Sequence, residues 1–166
     1  LGLIGFFYIY QLTPSIAFTP GGNFTHAAIA GHEMTLQLAV LGMIIGFGSK
    51  AGMFPLHGWL STAHPVAPAP ASAILSGVNT KMGVIAILRV VYYIAGVDFL
   101  WKSFVQYIVI GLTLLTVFMG SMLAFKEKIM KRRLAYSTVS QVSYILFGIM
   151  LLQPAGFVGA MLHVIY

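Results

Sequence analysis

Two lysines stand where a membrane protein accommodates them least easily. Lys50 and Lys81 each interrupt an apolar run, and between them lie His57, His64 and the prolines Pro55, Pro65, Pro68 and Pro70. An ammonium near the centre of a bilayer costs about 2.5–3.5 kcal/mol on insertion scales, so each lysine needs a compensating environment. In a low-dielectric cavity a lysine loses stabilisation of its charged form and titrates nearer neutrality, which suits it to taking up and releasing protons. The competing reading is an ammonium that snorkels to an interface or is paired structurally. Lys81 resists snorkelling, because about ten residues flank it on either side within its helix, more than a lysine stem can span. For Lys50, the exposed carbonyls at the end of an interrupted helix would favour a positive charge.

The histidines are less decisive. His57 and His64 are seven residues apart and share a face if the segment between them is helical. Their ordinary pKa suits proton relay, and a hydrogen-bonded structural histidine fits the pattern equally well. With no carboxylate nearby they make a poor metal site. Arg89, eight residues beyond Lys81, reads as a snorkelling or anion-paired residue. The acids Glu33, Asp98 and Glu127 all fall at expected interfaces or loops, so a carboxylate balancing Lys50 must lie on a helix outside this chain or in another subunit. The absence of cysteine excludes disulfides, thiolate metal sites and thiol catalysis within the stretch. No nucleotide site, nucleophile–base pair or haem-binding bundle is visible either. Enzymatic chemistry by this chain alone is therefore disfavoured, and no cofactor is expected to be bound by it.

The elements that must hold these groups follow from composition. The 166 residues are 59% hydrophobic and 7% charged, with mean hydropathy +0.94, which specifies an all-α, polytopic transmembrane helix bundle in a lipid bilayer. The net charge of +6 is a topology signal rather than a nucleic-acid surface, because five of the nine Lys and Arg fall in KEKIMKRR at 126–133. Complete spans are expected near 34–60, 71–95, 104–125 and 134–152, with partial spans at 1–12 and 155–166, so the chain reads as one fragment of a longer transmembrane domain. The first span should break between Gly48 and Pro55, where Gly48 and Gly52 tolerate unusual dihedrals and Pro55 removes a helical hydrogen bond. A short amphipathic continuation over PLHGWLSTAH should then meet PVAPAPA, whose prolines, Pro65 and Pro68 among them, forbid helix and return the chain at the interface. Gly42 and Gly46 form a small-xxx-small pair for close packing. Residues 13–33 read as a loop with a short interfacial helix, and the uncharged span 104–125 as lipid-facing scaffold. Ser137, Gln141 and Tyr144 share a face of the next span, as interhelical glue or as a pathway, and Gln153 and Pro154 form a tight turn. His163 sits inside the last apolar run. The positive-inside rule places loops 61–70 and 126–133 in the cytoplasm, with 13–33 and 96–103 outside.

The run KAGMFPLHGWLSTAHPVAPAPASAILSGVNTKMGV at 50–84, followed by KRRLAYSTVSQ at 131–141, resembles the antiporter-like membrane subunits of respiratory NADH:quinone oxidoreductase (complex I), of Mrp-type sodium/proton antiporters and of membrane-bound hydrogenases. The resemblance runs through essentially the whole chain. It implies a fold with two inverted five-helix repeats, each with a broken helix, the chain crossing from the first repeat into the second. It implies that Lys50 matches the broken-helix lysine and Lys81 the lysine of the following helix, which pass protons along a hydrated mid-membrane axis, and that His163 matches a histidine of the second repeat. It also implies a bacterial or archaeal cell membrane, other membrane subunits as partners, H⁺ and conceivably Na⁺ as cargo, and redox cofactors, if any, in those partners. The family's essential glutamate would lie outside the chain. One departure stands out: Ser61 and Thr62 replace the Pro-Asp of many relatives, removing a capping carboxylate near the loop. Three functions remain open: a proton-translocating subunit of a complex I-type or related complex, an Mrp-type antiporter subunit, and an assembly subunit whose lysines only pair with neighbours. A small-solute transporter is disfavoured, since no substrate-sized polar cluster is visible.

Overall fold

The computed structural model describes residues 1–13, 18–24 and 31–165. The interfacial helix suggested within 13–33 falls outside the described residues. The helices are α1 (Gly2–Leu12), α2 (Glu33–Ala51), α3 (Gly58–Val66), α4 (Ala69–Ala95), the short α5 (Val97–Leu100), α6 (Phe104–Lys126), α7 (Met130–Met150) and α8 (Pro154–Ile165). No strand occurs among the described residues. Three of these helices, α2, α4 and α6, are long and apolar enough to cross a membrane.

Apolar residues at helical spacing build one core: Leu36, Val40 and Met43 on α2, Val84, Ile87 and Val91 on α4, and Val142, Ile145 and Ile149 on α7 are all buried. The opposite faces are apolar too. Phe104, Tyr107, Phe118 and Phe125 of α6 stand exposed, as they should where the solvent is lipid. Lipid offers helices no hydrophobic reward for associating, so close backbone approach at small residues matters. Gly83 of α4 is one such crossing: a Cβ there would lie 2.8 Å from the Ala51 nitrogen and 2.9 Å from the Phe47 oxygen of α2. Gly46 packs on Gly2 of α1 as its motif suggests, whereas a Cβ on Gly42 would meet nothing within 4 Å.

Several boundaries differ from the sequence reading. Helix α2 continues through Gly48 and ends at Ala51, and the break spans Gly52–His57. Gly48 lies inside the helix, where its missing Cβ leaves room for the Met53 side chain. Pro65 lies within the last turn of α3, and Pro68 caps α4 with Pro70 in its first turn. Proline's fixed φ is helical, and in a first turn its absent N–H loses no bond, so a run that forbids a long helix can end one and start another. The return between α3 and α4 is thus only Ala67 and Pro68. Likewise Lys131, Arg132 and Arg133 already belong to α7, leaving a short connection after α6. Helix α4 contains two π-helical stretches, Leu75–Asn79 and Val90–Ala95, the first ending two residues before Lys81.

Candidate functional site

The break in α2 is held by specific partners. Gly52 adopts φ 91°, a left-handed cap that lets the amide of Met53 return to the Gly48 carbonyl at 2.8 Å. The Ser49 carbonyl, which accepts the Gly52 amide at 3.3 Å, also accepts the indole N–H of Trp59 at 2.8 Å. Across the bundle, the amide of Phe54 donates to Thr116 Oγ1 on α6 at 3.0 Å, and Thr116 in turn donates to the Leu112 carbonyl at 2.6 Å. These bonds answer the requirement that broken backbone at membrane depth be satisfied by protein. They also revise the reading of α6 as plain scaffold: Thr113 and Thr116 are buried on the face it turns to its neighbours.

Lys50 sits in the last turn of α2 with its side chain exposed. The C-terminal end of the helix dipole favours a cation there. His57 is half-buried at the far end of the break. Its ring stacks on Phe54 with centroids 5.8 Å apart, and its Nδ1 is buried with no partner among the described residues.

Lys81 occupies a different environment. It lies 12 residues from the start of α4 and 14 from its end, so about 18–21 Å of helix extends on either side. Its half-buried ammonium donates to the backbone carbonyl of Val164 at 3.1 Å. The preceding residue is His163, whose Nε2 is 2.8 Å from Gln141 Oε1 and whose ring lies edge-on to Tyr144 at 6.0 Å. The fold thus brings Lys81 to the residue that follows His163, and two members of the polar stripe on α7, Gln141 and Tyr144, hold the histidine. Ser137, the third, lies at the surface on the side of Arg133 and Phe125.

Further polar contacts escaped the sequence reading. His64 Nδ1 is 2.6 Å from Ser72 Oγ, while its Nε2 is buried without a partner among the described residues. Ser76 Oγ lies 3.0 Å from Thr138 Oγ1, and Thr80 Oγ1 donates to the Ser76 carbonyl at 2.8 Å. Burial holds the His64 imidazole below its ordinary pKa. The signal for these contacts was present: Ser72, Ser76 and Thr80 recur at i, i+4, i+8 and end beside Lys81. Arg89 lies over the Phe18 ring, 5.6 Å from its centroid. No group of three or more potential metal-ligating His, Cys, Asp or Glu occurs among the described residues.

Residues 2–166 match the family described as NADH:quinone oxidoreductase/Mrp antiporter, TM. The chain belongs to this family. Among its relatives, NAD(P)H-quinone oxidoreductase chain 4 3 of Picosynechococcus sp. is 34% identical over 165 residues, covering 96% of this chain and 29% of the relative. NADH-quinone oxidoreductase subunit N of Desulforudis audaxviator is 32% identical over 98% of this chain and 32% of its own length. Hydrogenase-4 component B of Escherichia coli is 37% identical over 72% of this chain and 19% of its own. A chain of the Mrp complex from Dietzia sp. superposes with TM-score 0.83 at 27% identity, covering 98% of this chain and 29% of that one. The antiporter family therefore accounts for the fold, and the chain spans about a third or less of the length of these relatives. It is an integral membrane protein whose relatives are subunits of multisubunit membrane complexes.

Proposed function

We propose that this chain is the proton-handling segment of an antiporter-like subunit that moves H⁺ across the membrane within a complex I-type NADH:quinone oxidoreductase or a related complex. The observation that carries this reading is the half-buried Lys81 ammonium, mid-way along a membrane-spanning helix, bonded to the Val164 carbonyl next to His163. A charge retained at that depth marks an ion pathway more often than a structural tie. Lys50, at the cationic-favouring end of an interrupted helix, supplies a second protonatable group, and His57, with a buried unpartnered nitrogen beside the break, a third. The carboxylate that sets the protonation of Lys50 belongs to a helix elsewhere in the longer polypeptide or to a neighbouring subunit.

A second reading, a subunit of an Mrp-type Na⁺/H⁺ antiporter, is favoured by the likeness to the Dietzia Mrp complex. Both readings place the protein in a bacterial or archaeal cell membrane, with residues 61–70 and 126–133 cytoplasmic because the basic cluster lies there. Both leave redox cofactors to partner subunits. In the full-length protein within its complex, Lys50→Ala abolishes coupled proton movement in reconstituted vesicles while native-gel mobility of the complex stays normal. Pumping at the wild-type rate overturns the proposal, and loss of the assembled complex assigns the lysine to assembly instead.

A further inference from the structure

We propose that the groove between the end of α6 and the start of α7 seats one anionic phospholipid, its phosphate on Arg133 and an acyl chain along the groove. Helical spacing builds both walls: Ser121 and Phe125 line it from α6, and Met130, Arg133, Leu134 and Ser137 from α7. Its volume is about 520 Å³. At its deep end the two helices are in contact. A Cβ on Gly120 would lie 3.2 Å from the Ser140 nitrogen and the Tyr136 oxygen, and Ser121 Oγ is 3.0 Å from Ser140 Oγ.

At the other end of the groove positive charge is in excess. Residues 126–133 carry five cations and one acid. That acid, Glu127, is 3.7 Å from Arg132, and Lys131 donates to the Ala67 carbonyl at 3.4 Å. Arg133, Lys126 and Lys128 have no acidic partner among the described residues. The first turn of α7 contains no acid, so the positive end of its dipole adds to the excess. An anion is what this surface lacks, and a basic pocket between membrane helices is where an anionic headgroup binds.

The apolar half of the groove selects a lipid over a soluble anion or an acidic protein segment. Phe125, Met130 and Leu134 are 84%, 68% and 58% exposed beside the unpaired Arg133. A free phosphate would leave them uncovered, whereas an amphiphile covers them and neutralises the arginine together. Ser121 and Ser137 each lie one turn, about 6 Å, deeper than Phe125 and Arg133. In a phospholipid the ester carbonyls follow the phosphate by a few bonds on the way to the chains, so these hydroxyls stand where they can donate to an ester. Arginine suits the headgroup because its planar fork matches a phosphate with two parallel hydrogen bonds.

The alternative is a diffuse attraction of the whole basic cluster to a charged membrane face, in which each cation contributes about fivefold to affinity. A guanidinium bonded to a phosphate contributes about tenfold or more. The two are separated in the full-length subunit within its purified complex, with phosphatidylglycerol as probe, phosphatidylcholine as neutral control, and bound lipid counted by native mass spectrometry. The wild type retains phosphatidylglycerol in preference to phosphatidylcholine. Arg133→Gln weakens that binding about tenfold or more, and Lys128→Gln about fivefold or less. Ser137→Phe, which fills the groove and alters no charge, weakens it as Arg133→Gln does; Leu134→Gln takes its place should that variant not assemble. Soluble glycerol phosphate leaves the lipid bound. Equal losses in Arg133→Gln and Lys128→Gln with none on filling the groove mean diffuse attraction and overturn the proposal. Displacement by glycerol phosphate overturns it by showing an anion site without a lipid seat. Loss of a protein subunit from the Arg133→Gln complex on a native gel overturns it too, because the groove is then a protein interface.

Discussion

Replacing Lys81 by methionine isolates what the ammonium does, because the two side chains are similar in length and both are flexible. Among the described residues the ammonium makes one hydrogen bond, to the carbonyl of Val164 at 3.1 Å. A hydrogen bond from a charged donor contributes about 1.5–3 kcal/mol. Against it stands the cost of holding a charge near mid-membrane, about 2.5–3.5 kcal/mol. Taking the extremes, Lys81→Met changes stability by about −0.5 to +2 kcal/mol, the positive sign meaning more stable. Partial exposure of the lysine shrinks both contributions together and narrows this range. A lysine kept as an interhelical tie predicts the reverse, a loss of about 1.5–3 kcal/mol. The assay uses the full-length subunit in its complex: thermal midpoint in detergent, and acidification of proteoliposomes under a fixed driving force. The expected result is an unchanged or raised midpoint with proton movement reduced to background. A lowered midpoint with movement intact refutes the reasoning.

Two further outcomes concern the scaffold. Thr116→Val leaves the Phe54 amide without its acceptor at the break, costing about 1–3 kcal/mol; the thermal midpoint should fall and Thr116→Ser should recover it. Gly83→Val places a Cβ within 2.9 Å of two α2 backbone atoms that cannot move aside, and overpacking of this sort costs about 1–3 kcal/mol, read as a fall in the midpoint of the assembled complex.

Lys50 and Lys81 stood out because composition makes them conspicuous: in a chain with so few charges, an ammonium inside an apolar run demands a reason. Lys81 and His163 were each visible in this way, but their meeting was not, since it depends on how α8 returns against α4. Pro65, Pro68 and Pro70 misled for a definable reason. Counting prolines as helix breakers ignores where in a helix they fall: Pro68 and Pro70 stand at the cap and first turn of α4, where they fit, and Pro65 lies one residue from the end of α3. Thr116 was hidden by its surroundings, because an uncharged apolar span gives no hint that one hydroxyl on it caps a break 62 residues away. Ser76 and Thr138 needed a crossing register, and the π-helical stretch Leu75–Asn79 shifts α4 away from the 3.6-residue phase that a sequence reading assumes.

The acceptor for Lys81 is a main-chain atom, and that hides it from mutagenesis. Exchanging the side chain at Val164 for any other that keeps α8 helical leaves the carbonyl in place, so a scan of single substitutions will score the position as tolerant. What disturbs it is register. A single residue inserted into α8 ahead of His163 turns everything beyond it by about 100°, carrying the histidine off its partners on α7 and the carbonyl off Lys81 of α4. The length of the connection between α7 and α8 and the count of residues to His163 are therefore under tighter constraint than the identity of the residue that supplies the contact.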